Sequence, residues 1–130
     1  MSQENVEIVR RGIEAWNRGD MDAFRELHDP DAVLRPVSDW PEQGPFVGRT
    51  TLMRFAEQLR DTWDADTMEA ISITEVGDRV VFRYVWHGAG HGPDANLEMT
   101  DLLTLRKGRI WEHELFWDQA EALEAAGLRG

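Results

Sequence analysis

Residues 71–87 read ISITEVGDRVVFRYVWH, and their period decides the architecture. Ile71 and Ile73 alternate with polar neighbours before Gly77-Asp78, and Val80, Phe82, Tyr84 and Trp86 occupy every second position after it. Alternation marks a strand with one buried face, and a two-residue Gly-Asp connection marks a hairpin. Such a turn pairs Ile73 with Phe82 and Ile71 with Tyr84. Both apolar sets then share one face, so the register is self-consistent.

Upstream the period is helical. Val6, Val9, Ile13 and Trp16 recur at spacings of three and four, predicting a helix over 4–18 with one apolar face. Asn17-Arg18-Gly19-Asp20 stops it and starts another, Gly19 taking positive φ and Asp20 capping a short helix over 21–28. Asp29-Pro30-Asp31 breaks that helix, leaving a short strand over 32–35 and a proline-punctuated loop over 36–48. A third helix over 49–62 carries Leu52, Phe55, Ala56 and Leu59 on one face, with Trp63 following. Downstream, 88–96 reads as a loop, 97–106 and 110–117 as a second hairpin around Lys107-Gly108-Arg109, and Asp118 caps a last helix that Gly127 ends. Three helices followed by a curved antiparallel sheet make an α+β fold, in a single domain over 1–130.

Composition restricts the partners. The chain has 130 residues, with 25 Asp plus Glu against 14 Lys plus Arg and a formal charge of −11. At this length folding buries roughly two-thirds of the unfolded surface, enough for one core. So acidic a surface repels phosphate backbones and anionic lipid, which excludes nucleic acid and membranes as partners. No cysteine is present, so disulfides, thiolate metal sites and cysteine nucleophiles are excluded. The charged N-terminal stretch has no apolar signal region, and no stretch approaches the roughly 20 apolar residues of a membrane span, so a cytoplasmic location is expected. Six Trp in this length could line a pocket or build a core.

Two polar residues interrupt the apolar stripes of the second hairpin. Leu97, Met99, Asp101, Leu103 and Leu105 share one strand face, and Trp111, His113, Leu115 and Trp117 share one on the partner. A three-residue turn with Gly108 left-handed pairs Leu103 with His113 and Asp101 with Leu115, making Asp101 and His113 diagonal neighbours. A two-residue turn would instead bring Glu112 and Glu114 inward, against the cost of burying charge. Of the acidic residues, this alternation turns only Asp101 inward. A buried carboxylate beside an imidazole can pass a proton near neutral pH, or it can simply hold two strands in register.

Other residues carry weaker signals. His87 and His91, with Asp94 nearby, have a spacing that fixes no metal geometry off a helix, and no metal site is assigned. His28, at a helix end, is expected to meet that helix's last carbonyls. Asp39 and Trp40 lie in the long loop, as a pocket rim or an ordinary turn. No catalytic triad, phosphate loop or dinucleotide fingerprint occurs. The sheet face with Arg83 and His87 also carries Val81, Val85, Leu102 and Phe116, apolar enough to suggest a homodimer interface.

Several motifs together resemble a known family along essentially the whole chain. Glu4-Asn5-Val6-Glu7-Ile8-Val9-Arg10-Arg11 and Ala15-Trp16-Asn17-Arg18-Gly19-Asp20-Met21-Asp22-Ala23 are similar to the opening of SnoaL-like proteins of the nuclear transport factor two superfamily. Asp29-Pro30-Asp31-Ala32-Val33, Gly44-Pro45-Phe46-Val47-Gly48-Arg49 and the ending Ala120-Glu121-Ala122-Leu123-Glu124-Ala125-Ala126-Gly127-Leu128 follow in the family's order. The resemblance implies a cone, in which a bent antiparallel sheet wraps the helices around a deep apolar pocket, typically in homodimers. It does not imply one chemistry, because the superfamily holds ketosteroid isomerases, polyketide cyclases, dehydratases, epoxide hydrolases and binding modules. Of the isomerase's carboxylate base, tyrosine and protonated aspartic acid, a worked example of pKa tuning in its own right, only the acid has a counterpart, Asp101. The tyrosine position falls on Gly12 and the base position on Pro36, which argues against that mechanism. The epoxide hydrolases need an Asp-Arg-Asp set; Arg35 could be misread as a member, but no second pocket aspartate is evident. The cyclases are similar in using a pocket aspartate as acid/base.

The expectation is therefore a small-molecule enzyme with Asp101 as acid/base and His113 as its partner, moving a proton next to a carbonyl in an isomerisation, cyclisation or dehydration, with no cofactor. The ligand would be a small apolar or aromatic molecule, bound against Trp16, Trp40, Phe55, Phe82, Tyr84, Trp86, Leu103, Trp111 and Leu115. The alternative is a non-catalytic binding or interaction module on the same fold.

Overall fold

The computed structural model describes residues 2–90 and 92–127. In chain order the elements are α1 (Ser2–Arg18), α2 (Met21–Glu26), β1 (His28–Arg35), β2 (Phe46–Val47), α3 (Arg49–Thr62), β3 (Ala65–Val76), β4 (Arg79–Ala89), β5 (Ala95–Arg106), β6 (Arg109–Phe116) and α4 (Gln119–Ala125). The strands form one curved, open sheet in the order β2-β1-β6-β5-β4-β3. Every neighbouring pair is antiparallel except β1 with β6. The expected α+β cone is the architecture observed.

The local signals explain the helix boundaries. Gly19 takes φ +74°, and the Asp20 carboxylate accepts from the Ala23 N–H at 3.1 Å, so α1 stops and α2 starts within two residues. Asn17, at the end of α1, brackets the backbone of Met68, accepting from its N–H at 2.8 Å and donating to its carbonyl at 3.0 Å. This ties the helix to β3, whose outer edge has no neighbouring strand. Val9 and Trp16 are buried, as the α1 period requires, and Asp118 caps α4 by accepting from the Ala120 N–H.

Three departures from the sequence reading have a common cause, a bulge that interrupts the regular pairing of a strand. The short second helix ends at Glu26, and His28 begins β1, paired with Ile110. The next regular pairing is Val33 with Glu112, so Asp29-Pro30-Asp31 bulges out of a strand instead of preceding one. In β3 the pairing slips between Ala70 and Ser72: Ala70, not Ile71, faces Tyr84, and Ile71 is left 45 % exposed. In the second hairpin the turn holds two residues, Lys107 at φ +53° and Gly108 at φ +77°, joining the paired Arg106 and Arg109. A bulge at Trp111 then restores Thr104 opposite Glu112, so Leu103 meets His113 and Asp101 meets Leu115 after all. The expected register is present, produced by a bulge and not by a longer turn.

The core lies on the concave side of the sheet. One cluster joins Ile8 and Val9 of α1 to Val80, Phe82, Leu103, Leu105 and Ile110, and a second joins Trp16, Phe24, Leu34, Leu52 and Phe55. On the convex side α4 packs Ala122, Leu123 and Ala126 over Val81, Leu102 and Phe116. The chain's own last helix thus accounts for part of the apolar face read as a dimer surface. Arg83 there pairs with Glu98 at 2.7 Å. Among the described residues no helix is long and apolar enough to cross a membrane.

Candidate active site

The first helices and the sheet enclose a cavity of about 200 Å³. An apolar hole of about 150 Å³ accommodates benzene, so this one has room for a molecule of one or two rings. Trp16, Trp40, Phe55, Tyr84, Trp86 and Leu115, all expected at a pocket, line it. Three other expected members do not. Phe82 stacks on Tyr84 at 4.6 Å but is packed in the core cluster beneath α1, where Leu103 also lies. Trp111 is the bulged residue, so its parity is lost, and its ring lies 4.6 Å from the Arg106 guanidinium, away from the cavity. Phe24, Trp63, Met68, Leu97 and Met99 complete much of the wall.

The polar chemistry is concentrated in a few buried groups. Asp101 and His113 both line the cavity, and His113 Nδ1 lies 2.6 Å from Asp101 Oδ2. Adjacent strands bring them together because Asp101 pairs with Leu115 and Leu103 with His113 on one concave face. Asp101 Oδ1 is buried and has no hydrogen-bond partner among the described residues. The Trp16 indole N–H, on another wall of the cavity, is also buried and unpartnered. Among the described residues, Tyr84 donates its hydroxyl only to the Met99 thioether, at 3.8 Å. Burial, reinforced by the Asp101 charge, pushes the Tyr84 phenol above its ordinary range, so it stays a donor.

Behind His113 stands a residue the sequence reading did not place in the site. His28 Nε2 lies 2.8 Å from His113 Nε2, and His28 Nδ1 lies 2.8 Å from the Phe24 carbonyl oxygen. The expected contact with a helix-end carbonyl is therefore present, but the other edge of the ring faces the acid/base pair. His28 is fully buried. Burial, then His113, with a smaller effect of Arg49, lowers its pKa to about 3 despite the opposing bond to Phe24. Nothing in the local pattern signals this, because α2 and β1 carry His28 to a ring 85 positions away.

The remaining candidates are engaged elsewhere. Arg35 pairs with Glu112 at 2.7 Å on the exposed side. Asp39 accepts from the Trp117 indole N–H at 2.7 Å, fastening the long loop to the end of β6 while Trp40 reaches the cavity. His87 donates to Asn96 and Glu69, which together raise its pKa; His91 lies outside the described residues. Among the described residues no group of three or more His, Cys, Asp or Glu is placed to hold a metal ion.

Comparison with known proteins places this geometry in context. The model of the SnoaL-like domain matches residues 9–113. Bal32a, from a soil-derived mobile gene cassette, superposes with a TM-score of 0.81 at 21 % identity, with 88 % of each chain covered. An NTF2-like protein from Burkholderia pseudomallei superposes at 0.78 with 22 % identity, covering 95 % of this chain and 97 % of that one. A candidate polyketide cyclase from Sinorhizobium meliloti gives 0.69 at 26 % identity, covering 84 % and 93 %. No curated protein sequence matches.

Proposed function

Because the chain belongs to the SnoaL-like family of the nuclear transport factor two superfamily, a fold of the small-molecule isomerase and cyclase type, we propose that its cavity is the active site of a cofactor-independent enzyme that moves a proton next to a ligand carbonyl. The observation that carries the reading is the free oxygen of Asp101. One carboxylate oxygen is held by His113 at 2.6 Å and the other is buried without a partner at the wall of an apolar cavity. A buried polar atom without a partner costs about 1–3 kcal/mol, a cost that a bound ligand would relieve.

The proton inventory supports acid/base work. Asp101 Oδ1 takes a proton from the carbon beside a ligand carbonyl. If the proton between Oδ2 and His113 Nδ1 then sits on the imidazole, the pair has gained one positive charge as the ligand becomes an enolate. The charges form together in an apolar surrounding, where their attraction is strong. Asp101 next returns the proton to another carbon of the enolate in an isomerisation, to the oxygen of a second carbonyl as the enolate carbon bonds to that carbonyl's carbon in a cyclisation, or to a hydroxyl as its C–O bond breaks in a dehydration. Tyr84, protonated and held only by a thioether, supplies a donor for the developing oxyanion.

The test uses 2-tetralone, a two-ring ketone of suitable size, in deuterated water. Wild-type protein is expected to catalyse hydrogen exchange at the carbon beside the carbonyl, and Asp101→Asn to reduce it by about 10²- to 10⁴-fold. Equal rates in the two proteins would overturn the reading. Binding of 2-naphthol with no exchange would favour the non-catalytic module instead.

A further inference from the structure

Beneath the Asp101–His113 pair lies a third ring that the proton transfer above leaves unused. A carbonyl oxygen only accepts, so the Phe24 oxygen 2.8 Å from His28 Nδ1 requires a proton on that nitrogen. His28 has no exposed surface, and Arg49 places a guanidinium nitrogen 3.2 Å from its backbone carbonyl. The groups facing its ring and backbone are thus Phe24 of α2, Arg49 of α3 and His113 of β6, with Asp101 of β5 beyond. No carboxylate touches the ring, so it stays neutral, and a neutral ring protonated at Nδ1 has a bare Nε2. The 2.8 Å approach of His113 Nε2 to that lone pair then requires the proton to be on His113.

We propose that His28 is a positioning residue for the acid/base pair: its Nε2 lone pair fixes His113 as the Nε2–H form. The role rests on reading the cavity as a proton-transfer site. Its consequence is a count of charge. With Nε2 of His113 already protonated, the proton between Nδ1 and Asp101 Oδ2 gives either neutral imidazole with carboxylic acid or imidazolium with carboxylate. Both are neutral overall. Without the acceptor on His28, His113 could carry its only proton on Nδ1, leaving the pair at −1 with no charge to set against an enolate. The relay also ends at the Phe24 carbonyl, which can pass no proton onward. A proton taken by Asp101 therefore has no route out through His28 and returns through the cavity.

Long-range proton–nitrogen NMR on the unliganded wild-type protein tests the tautomers directly, without a mutation. At neutral pH His28 should show protonated Nδ1 and bare Nε2, and His113 protonated Nε2. A proton on His28 Nε2, or a bare His113 Nε2, would overturn the role. His28→Phe removes the acceptor with a ring retained, and should lower 2-tetralone exchange by about 10- to 100-fold with the dissociation constant for 2-naphthol unchanged. His28→Gln offers an amide oxygen to His113 and an N–H to Phe24, and should restore most of the rate. Unchanged exchange in His28→Phe, or equal losses in both variants, would also overturn the role. A wild-type protein that exchanges no ketone would remove the catalytic reading itself, whatever the tautomers.

Discussion

Arg60 Nη1 lies 3.0 Å from Asp66 Oδ1 and donates to the backbone carbonyl of Trp16 at 2.9 Å, fastening α3, β3 and α1 together behind the cavity wall. Trp86 donates its indole N–H to the other Asp66 oxygen at 3.1 Å, and the guanidinium covers the Trp16 ring at 4.7 Å. The Asp66 side chain is 2 % exposed, so Asp101 is not the only inward-facing acid. Arg60→Met leaves that buried carboxylate with one neutral donor. It should cost roughly 3–5 kcal/mol in urea unfolding. Arg60→Met with Asp66→Asn should recover part of the loss, and an unaltered midpoint in the single variant would contradict the network.

His28 makes stability depend on pH in a definite direction. Its folded pKa of about 3 lies below the ordinary value of 6.5, so the unfolded chain binds the extra proton first. The associated stability is complete above pH 6.5 and is lost as pH falls toward 3, on the order of 5 kcal/mol in all. His28→Gln should flatten the unfolding free energy across this window relative to wild type. Parallel curves for the two proteins would refute the assignment.

The hairpin turn carries a residue at odds with its backbone. Lys107 has φ +53°, the conformation that asparagine and glycine tolerate best. Lys107→Asn should therefore raise stability by about 1 kcal/mol, measured as a higher Tm, with no change in 2-naphthol binding. A lower Tm would show that the lysine side chain compensates in some other way.

Gly88 lies where two cavity tryptophans meet. A Cβ there would stand 2.9 Å from Trp63 and 2.5 Å from Trp86, rings that are already edge to face at 5.2 Å. Gly88→Ala should cost roughly 1–3 kcal/mol of stability through overpacking. By displacing both rings it should weaken 2-naphthol binding about tenfold, equivalent to 1.4 kcal/mol. Calorimetry giving the same affinity as wild type would place the ligand away from this wall.

Much of the fold is legible in local periodicity. Arg49–Thr62 is the helix that Leu52, Phe55, Ala56 and Leu59 imply, and Gly77-Asp78 turns the hairpin that pairs Ile73 with Phe82. The Asp101–His113 contact is legible for the same reason, since both residues interrupt apolar stripes on adjacent strands. Alternation fails where a bulge changes its parity. Trp111 has the sequence pattern of a pocket residue and the position of a bulged one, and Ile71 is exposed by the slip beside Ala70. A bulge moves each side chain beyond it to the opposite face, and no single residue type here announces one.

By itself, the sequence determined the order of the helices and of every strand except β2, which it read as part of the loop over 36–48, together with the resemblance to the SnoaL-like family and a carboxylate–imidazole pair on the concave face. Each follows from side chains a few positions apart or from one hairpin, where backbone geometry settles which residues are neighbours. Only the tertiary structure brought His28 to His113, Arg60 to the Trp16 carbonyl, and the free oxygen of Asp101 to a cavity wall. These groups come from elements far apart in the chain, and what puts them within hydrogen-bond reach is the curvature of the sheet, its bulges and the closure of the helices over it.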